Sequence, residues 1–244
     1  NAQQKIPGQY SKAQGLLRNW TYEMDPDSPA SSIYSAFRWK LHVRVIGSLL
    51  GPLANQALVS GGRGAPTHMN HLAIRLIEGL KNGDSSLLPD GETWETVISR
   101  AFTEGIEYLK ETLGQEPEKW DWGKLHYTKP AHTLSDIFPE HENILNPPSV
   151  PMGGDGDTPQ AGSFAMSNPF VMTGMSVARY VFDPSDWDNS RWIVPLGSSG
   201  HPGSPHYSDQ TELWSKVQVI KMNYTPKAIA KVKATEQRLT PLAD

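Results

Sequence analysis

The run Trp94-Glu95-Thr96-Val97-Ile98-Ser99-Arg100-Ala101-Phe102-Thr103-Glu104-Gly105-Ile106-Glu107-Tyr108-Leu109-Lys110-Glu111-Thr112-Leu113-Gly114 carries the strongest periodicity in the chain. Trp94, Val97, Ile98, Ala101, Phe102, Leu109 and Leu113 recur at helical spacing, which puts them on one face, and Gly114 supplies a stop. An amphipathic helix this long has to bury its apolar face against a partner, so the neighbouring segments decide what layer it joins.

Working back from it, Met69, Leu72, Leu76, Ile77 and Leu80 predict a helix with those residues on its inner face, stopped at Asn82-Gly83 and preceded by the glycine-rich loop Ser60-Gly61-Gly62-Arg63-Gly64. Further back, Asp27 or Ser28 can cap a helix that starts at Pro29, where a missing N–H costs nothing. Its stripe of Ile33, Phe37, Leu41, Val45, Ile46 and Leu49 ends near Gly51-Pro52. Ala13, Leu16, Leu17 and Trp20 share a face of a short first helix. Residues 1–115 therefore read as a helical layer.

Working forward, the composition changes. Trp120 to Tyr127 reads as a turn entering a short extended piece, and Pro139, Pro147, Pro148, Pro151 and Pro159 mark residues 116–160 as an irregular connection. Residues 161–244 read as β-rich. Met175–Phe182 and Arg191–Leu196 are strand candidates joined by the turn-rich Asp183–Ser190, with a last strand over Val217–Met222 and a charged tail from Lys227. Val177 and Val181 on one face, with Ala178, Tyr180 and Phe182 on the other, predict that the first of these strands is buried between two layers. The fold class is α+β.

Composition removes several function classes. Lys+Arg 22 against Asp+Glu 26 gives a net charge of −4, without the cationic footprint that a phosphate backbone requires. Cys 0 removes disulfides, thiolate metal sites and a cysteine nucleophile. No apolar stretch reaches the roughly 20 residues of a membrane span. Trp 8, Tyr 8 and Phe 6 supply the large buried area of a folded chain. No apolar h-region follows Asn1, and a start without Met reads as processed or trimmed.

Four stretches hold residue types that do chemistry. Gly61-Gly62-Arg63-Gly64 before a helix offers backbone N–H groups to an anion, but lacks the Lys-Ser/Thr of a P-loop and reads as a plain loop. His201, His206 and Asp209 combine imidazoles with a carboxylate, as zinc sites do, at a spacing that fits no zinc motif; structural hydrogen bonding is the plainer reading. Asp155 and Asp157 alternate as in a calcium loop, without the distal bidentate Glu, and an ordinary turn is favoured. Ser199 and Ser204 flank His201, yet Ser198-Ser199-Gly200 is not a nucleophile elbow. No complete catalytic constellation emerges.

Three stretches carry a resemblance. Leu16-Leu17-Arg18-Asn19-Trp20 followed by Asp27-Ser28-Pro29-Ala30-Ser31-Ser32-Ile33-Tyr34 is similar to a family pattern of Leu-x-x-Trp, Ser-Pro-Ala and Ile-Tyr/Phe, although Trp20-Thr21-Tyr22 stands where that family usually has Trp-Asp-Gly. Trp122-Gly123-Lys124-Leu125-His126 with His132-Thr133-Leu134-Ser135 resembles its Trp-Gly-x-x-His and His-Pro-Leu. The most specific is Pro195-Leu196-Gly197-Ser198-Ser199-Gly200-His201-Pro202-Gly203-Ser204-Pro205-His206-Tyr207-Ser208-Asp209-Gln210, followed by Trp214. All three resemble the C-terminal part of the β subunit of penicillin acylase and acyl-homoserine lactone acylase enzymes.

The resemblance implies an N-terminal nucleophile hydrolase αββα sandwich, with the helical layer of this chain first and completing antiparallel strands after it. It implies hydrolysis of an acyl amide by a serine exposed at the start of the β subunit by autocatalytic cleavage, with its own α-amine as base and an Asn side chain and a backbone N–H at the oxyanion. That serine, the oxyanion Asn and an active-site Arg would lie outside the matched region, so no catalytic residue is expected here, and Asn1 cannot take the nucleophile's role. His126, His132 and His206 match the pattern's histidines and are expected as polar anchors. The expected partners are the α subunit and the N-terminal part of the β subunit, to whose sheets the strands of 175–222 would pair. The expected compartment is the periplasm or outside the cell. No cofactor is expected on this chain; a structural calcium would belong to the partner chain. A non-catalytic binding or metal-binding module, using Asp155 and Asp157 or the His201, His206 and Asp209 group, is the alternative.

Overall fold

The computed structural model describes residues 6–54 and 69–241, with side chains from residue 73 onward in the second span. The glycine-rich loop at 61–64, the side chains of Met69 and Leu72, and Asn1 lie outside the described residues. Two compact units divide the chain, Asn1–Ser176 and Val177–Asp244. Together they mix helices with antiparallel sheet.

In the first unit, α1 runs over Ser11–Arg18, α2 over Pro29–Leu50, α3 over Met69–Asn82 and α4 over Trp94–Leu113. The punctuation is the one the sequence predicts. Ser28 caps α2 by accepting the Ser31 N–H, and Pro29 opens the helix. Gly51, Gly83 and Gly114 close α2, α3 and α4 at φ 49°, 65° and 94°, angles at which a Cβ would be strained. Thr93 caps α4 through the Thr96 N–H.

Helices α2 and α4 form the main packing pair. Ile33 and Ala36 of α2 meet Phe102, Ile106 and Leu109 of α4 in one buried cluster that also holds Tyr10, Ala13, Trp120, Trp122, Phe164 and Phe170. Their backbones approach closely at Gly105. A Cβ there would lie 2.9 Å from the Phe37 nitrogen and 3.0 Å from the Ala36 carbonyl carbon. Backbone atoms cannot step aside as a side-chain tip can, so glycine is required at this crossing.

The predicted inner face of α3 is corrected. Leu76 is buried, but Ile77 and Leu80 are exposed. The helix instead presents Gly79, whose Cα faces Leu87 and Trp94. A glycine brings α3 onto its neighbours at shorter range than a leucine would, and a hydrophobicity count gives it no weight. Leu49, at the end of the α2 stripe, is also exposed.

After α4 the chain makes a 3₁₀ turn at Trp122–Lys124 and a four-residue helix, α5, at Glu142–Leu145. It then forms the antiparallel hairpin β1 (Gly162–Ala165) and β2 (Asn168–Met175). The sequence reading missed this hairpin. Its register shifts on both sides of Phe164, and Gly162, Pro169 and Gly174 are residues that strands seldom contain, so composition does not mark it as a hairpin. Phe170 sits at φ 80° within β2, fully buried, with the rings of Trp39, Tyr108, Trp122 and Phe164 5.2–5.9 Å away between centroids. That packing offsets the backbone strain.

The second unit is a three-stranded antiparallel sheet in the order β3 (Arg179–Val181), β4 (Arg191–Ile193), β5 (Ile220–Lys221), with the short helices α6 (Thr211–Ser215) and α7 (Pro226–Val232). The predicted hairpin across 183–190 is present, with Tyr180 opposite Trp192. The predicted strand 175–182 is two pieces, because Met175 ends β2 and Arg179 begins β3. Burial between two layers is likewise corrected, since Val177, Tyr180, Val181 and Phe182 are exposed. Ile193 and Trp214 are buried in this unit, and Trp214 holds it inward: its ring lies 4.5 Å from the Arg179 guanidinium and its indole N–H donates to the Val177 carbonyl at 3.1 Å. The last predicted strand shrinks to Ile220–Lys221, and the charged tail begins with α7.

Gly105→Ala is expected to lower the unfolding free energy by about 1–3 kcal/mol as measured by urea titration, despite alanine's better helix propensity. Gly47→Ala, at a position of α2 with nothing within 4 Å of the added carbon, is expected to raise it by about 0.5–1 kcal/mol. Equal midpoints for the two variants would remove the close crossing as an explanation.

Candidate functional site

Arg38 lies midway along α2, on a buried face of apolar and small residues that also holds His42 one turn on, and only 9% of it is exposed. Its charge is met by the loop after Met152. Nη2 donates to Asp155 Oδ2 at 2.7 Å, and Nη1 lies 3.5 Å from Asp157 Oδ2. Asp155, 1% exposed, is held from several sides: its other carboxylate oxygen accepts the Asp157 N–H at 2.8 Å, its own N–H donates to the Thr158 hydroxyl at 2.8 Å, and its carbonyl accepts the Gly162 N–H that opens β1. The two carboxylates that the sequence offered as calcium ligands therefore converge on a guanidinium, which takes the cation's place. Among the described residues no group of three or more His, Asp or Glu is placed to hold a metal ion.

Behind this pair, His126 stacks on Trp122 with centroids 4.8 Å apart and planes 12° apart. Its Nδ1 pairs with the Phe170 carbonyl at 2.8 Å, and the Trp122 indole donates to the Gly154 carbonyl at 2.8 Å. Burial pushes the His126 pKa down to about 4, against smaller opposing effects of the Phe170 carbonyl and the Asp155 charge. The neutral ring has Nδ1–H as donor, and its buried Nε2 finds no partner because it faces Gly162, where a Cβ would come within 2.9 Å. His126 is thus an anchor between the 3₁₀ turn and the hairpin.

The remaining sequence candidates do not assemble. His206 Nδ1 lies 2.8 Å from Asp209 Oδ2, whereas His201 Nδ1 accepts the Gly203 N–H at 3.0 Å. Ser199 and Ser204 accept the backbone N–H groups of His201 and His206, both at 3.1 Å, so their hydroxyls serve the turns. His132 accepts the Leu134 N–H and caps a short 3₁₀ turn.

On the outer side of Arg38, a cleft of about 550 Å³ is lined by Leu17, Trp20, Tyr22, Met24, Tyr34, Phe37, Arg38, Asp155, Asp157 and Thr158. Trp20 makes ring contacts with Tyr22 and Tyr34 at 5.4 and 5.1 Å, and Arg38 lies over Tyr34 at 5.3 Å. Tyr22 is 81% exposed at φ 69°, a conformation that costs a non-glycine residue about 1–2 kcal/mol. Sequence reading passed over both Arg38 and this cleft. The signal for Arg38 was available, namely a charge within the buried stripe of a helix, which demands a partner elsewhere.

The chain belongs to the penicillin acylase family: the Penicillin amidase family matches residues 2–231. It is 36% identical over 227 residues to penicillin acylase 2 proenzyme of Pseudomonas sp. (strain SE83), an alignment covering 91% of this chain and 28% of that protein. It is 24% identical over 170 residues to the acyl-homoserine lactone acylase QuiP of Pseudomonas aeruginosa, covering 65% of this chain and 20% of that one. The chain thus spans about a quarter of the length of these relatives. Among solved structures, a thermostable penicillin G acylase from Alcaligenes faecalis is similar in fold, with a TM-score of 0.50 at 16% identity over 99% of this chain and 44% of that one.

Asp155→Ala is expected to cost about 3–5 kcal/mol in urea unfolding, because it strands a buried guanidinium, and Arg38→Met with Asp155→Leu to cost less. The His126 shift sets a pH dependence. The unfolded histidine titrates near 6.5 and the folded one about 4, so the unfolded state takes up its proton first. Stability present above pH 6.5 should fall by on the order of 3 kcal/mol as the pH drops to 4. His126→Gln should flatten the slope in that window; an unchanged slope would assign it to other groups.

Proposed function

We propose that this chain is the C-terminal portion of the β subunit of an acylase that hydrolyses a linear acyl amide, such as a β-lactam side chain, an acyl-homoserine lactone or a similar amide. The observation that carries this reading is the 36% identity to a penicillin acylase proenzyme across nearly the whole chain. In this reading the nucleophilic serine, its oxyanion partners and the α subunit belong to other chains or segments, released from a precursor by cleavage. The chain itself contributes a helical layer and completing strands to an αββα sandwich, and the assembly works in the periplasm or outside the cell. The residues support such a scaffold role. Arg38 and Asp155 are committed to each other, His126 to the Phe170 carbonyl, and Ser199 and Ser204 to the backbone of their turns, so these groups support the fold.

The test is the intact mass and N-terminal sequence of every polypeptide in the native sample after denaturation. A tightly associated companion chain beginning with Ser is expected, together with amide hydrolysis by the assembly and none by this chain alone. Recovery of only the 244-residue chain, folded and monomeric, would overturn the acylase reading and leave a binding module.

A further inference from the structure

We infer that the cleft formed by β5 and α7 in the second unit is a binding site for a phosphate monoester, held by Lys221, Lys227 and Lys231. The cleft has a volume of about 560 Å³, within the usual range for a small-molecule site, and Asp188, Asn223 and Thr225 line it beside the three lysines. Three positive charges against the one negative charge of Asp188 leave an excess of two, on a chain whose net charge is −4. A dianion matches that excess, and a phosphate monoester at neutral pH carries about two charges on three acceptor oxygens.

The single carboxylate of the cleft is committed elsewhere. Asp188 Oδ1 accepts the Tyr224 and Thr225 N–H groups at 2.8 and 2.9 Å, and Oδ2 accepts the Thr225 hydroxyl at 2.6 Å. These bonds, the Thr225 hydroxyl's first, hold the Asp188 carboxyl down at about 2, with a smaller contribution from the Lys221 charge. Asp188 is thus the brace that ties the start of α7 to the loop before β4.

The lysines themselves are placed where the fold alone gains nothing from them. Lys12, Lys110, Lys119, Lys124, Lys216 and Lys233 each meet a carboxylate, whereas Lys221, Lys227 and Lys231 join no ion pair among the described residues. Lys227 and Lys231 stand four residues apart on α7, a spacing that sets like charges side by side and destabilises a helix. Lys221 stands opposite Arg191 in the β4–β5 pairing, where a carboxylate would be stabilising and a second cation is not. The Arg191 guanidinium is turned onto the Asn189 and Ser190 carbonyls, which leaves the three ammonium groups as the charges of the cleft. Each is a compact point charge with three rotatable donors, suited to a phosphate, and the Asn223 amide adds a neutral donor to the same wall.

Glycerol 3-phosphate, titrated by calorimetry at neutral pH into the protein in its native assembly, is expected to bind saturably and to raise the melting temperature. Lys227→Gln with Lys231→Gln should weaken binding about tenfold or more. That variant removes a like-charge pair, so its ligand-free melting temperature should hold or rise, and lost binding cannot be put down to unfolding. Lys119→Gln with Lys124→Gln, which removes the same charge from the first unit, should leave the affinity unchanged, and methyl sulfate, a monoanion of similar shape, should bind about tenfold more weakly. Vesicles of phosphatidylcholine with phosphatidic acid present the same monoester on a lipid. Tighter binding to them than to glycerol 3-phosphate, lost in the Lys227 and Lys231 variant, would assign the phosphate to a lipid headgroup, and the reverse order would assign it to a soluble ester; both keep the site. Absence of saturation up to about 10 mM ester together with no vesicle binding, equal losses in the two double variants, or equal binding of methyl sulfate would each overturn the inference. The readout is binding and not hydrolysis, so its failure leaves the acylase reading standing, and the reverse.

Discussion

The ion pair between Arg38 and Asp155 fixes the relation between the two halves of the first unit. A guanidinium in the buried stripe of a helix is tolerable only with a carboxylate delivered to it, and the carboxylate comes from 117 positions away along the chain. Delivering it sets the path of everything nearby. Gly154, at φ 74°, turns the loop so that its carbonyl meets Trp122, and the Asp155 carbonyl receives the first N–H of β1. The hairpin then turns Phe170 into the ring cluster and offers its carbonyl to His126. Arg38, Asp155, Trp122, His126 and Phe170 form a single chain of dependence from α2 to β2.

This interlock explains why two kinds of candidate fail together. Calcium would need the Asp155 and Asp157 carboxylates, which already face Arg38. A catalytic histidine would need a pKa near neutrality and an accessible nitrogen, whereas His126 is buried, neutral and turned against Gly162. Low dielectric and close packing serve the architecture here. On the far side of the same arginine, polar and aromatic groups do meet an open volume.

What the sequence shows of the fold is what is local. Ser28-Pro29 and the glycines at 51, 83 and 114 act within a turn or two, and each can be read where it stands. Helix faces are legible when they are made of large apolar residues, as in α4, and misread when glycine makes the contact, as at Gly79 of α3. The hairpin at 162–175 is hidden by the glycines and the proline in its strands, and the pairing of Arg38 with Asp155 by its separation in sequence. Of the cleft, Trp20 and Tyr34 lie in the motifs that carry the family resemblance, but only the folded backbone places Tyr22 on Trp20 and both beside Asp157.

The second unit poses a different constraint. Tyr180 stacks on Phe182 and on Trp192, Phe182 meets Trp187, and Trp187 meets Tyr224, giving a continuous run of rings of which Tyr180, Phe182, Trp187 and Tyr224 are exposed. A five-ring surface on a short sheet whose outer strands, β3 and β5, have only two or three residues cannot be stabilised by the sheet's own hydrogen bonds. Left in water it invites association. The relatives it matches are about four times as long, and in the proposed assembly the preceding part of the β subunit would lie over these rings. On that account the exposed aromatic face belongs to the same design as the buried ion pair. Both are features that make sense in a chain built to complete a larger core, one by rigidifying its own half and the other by presenting apolar surface to the rest.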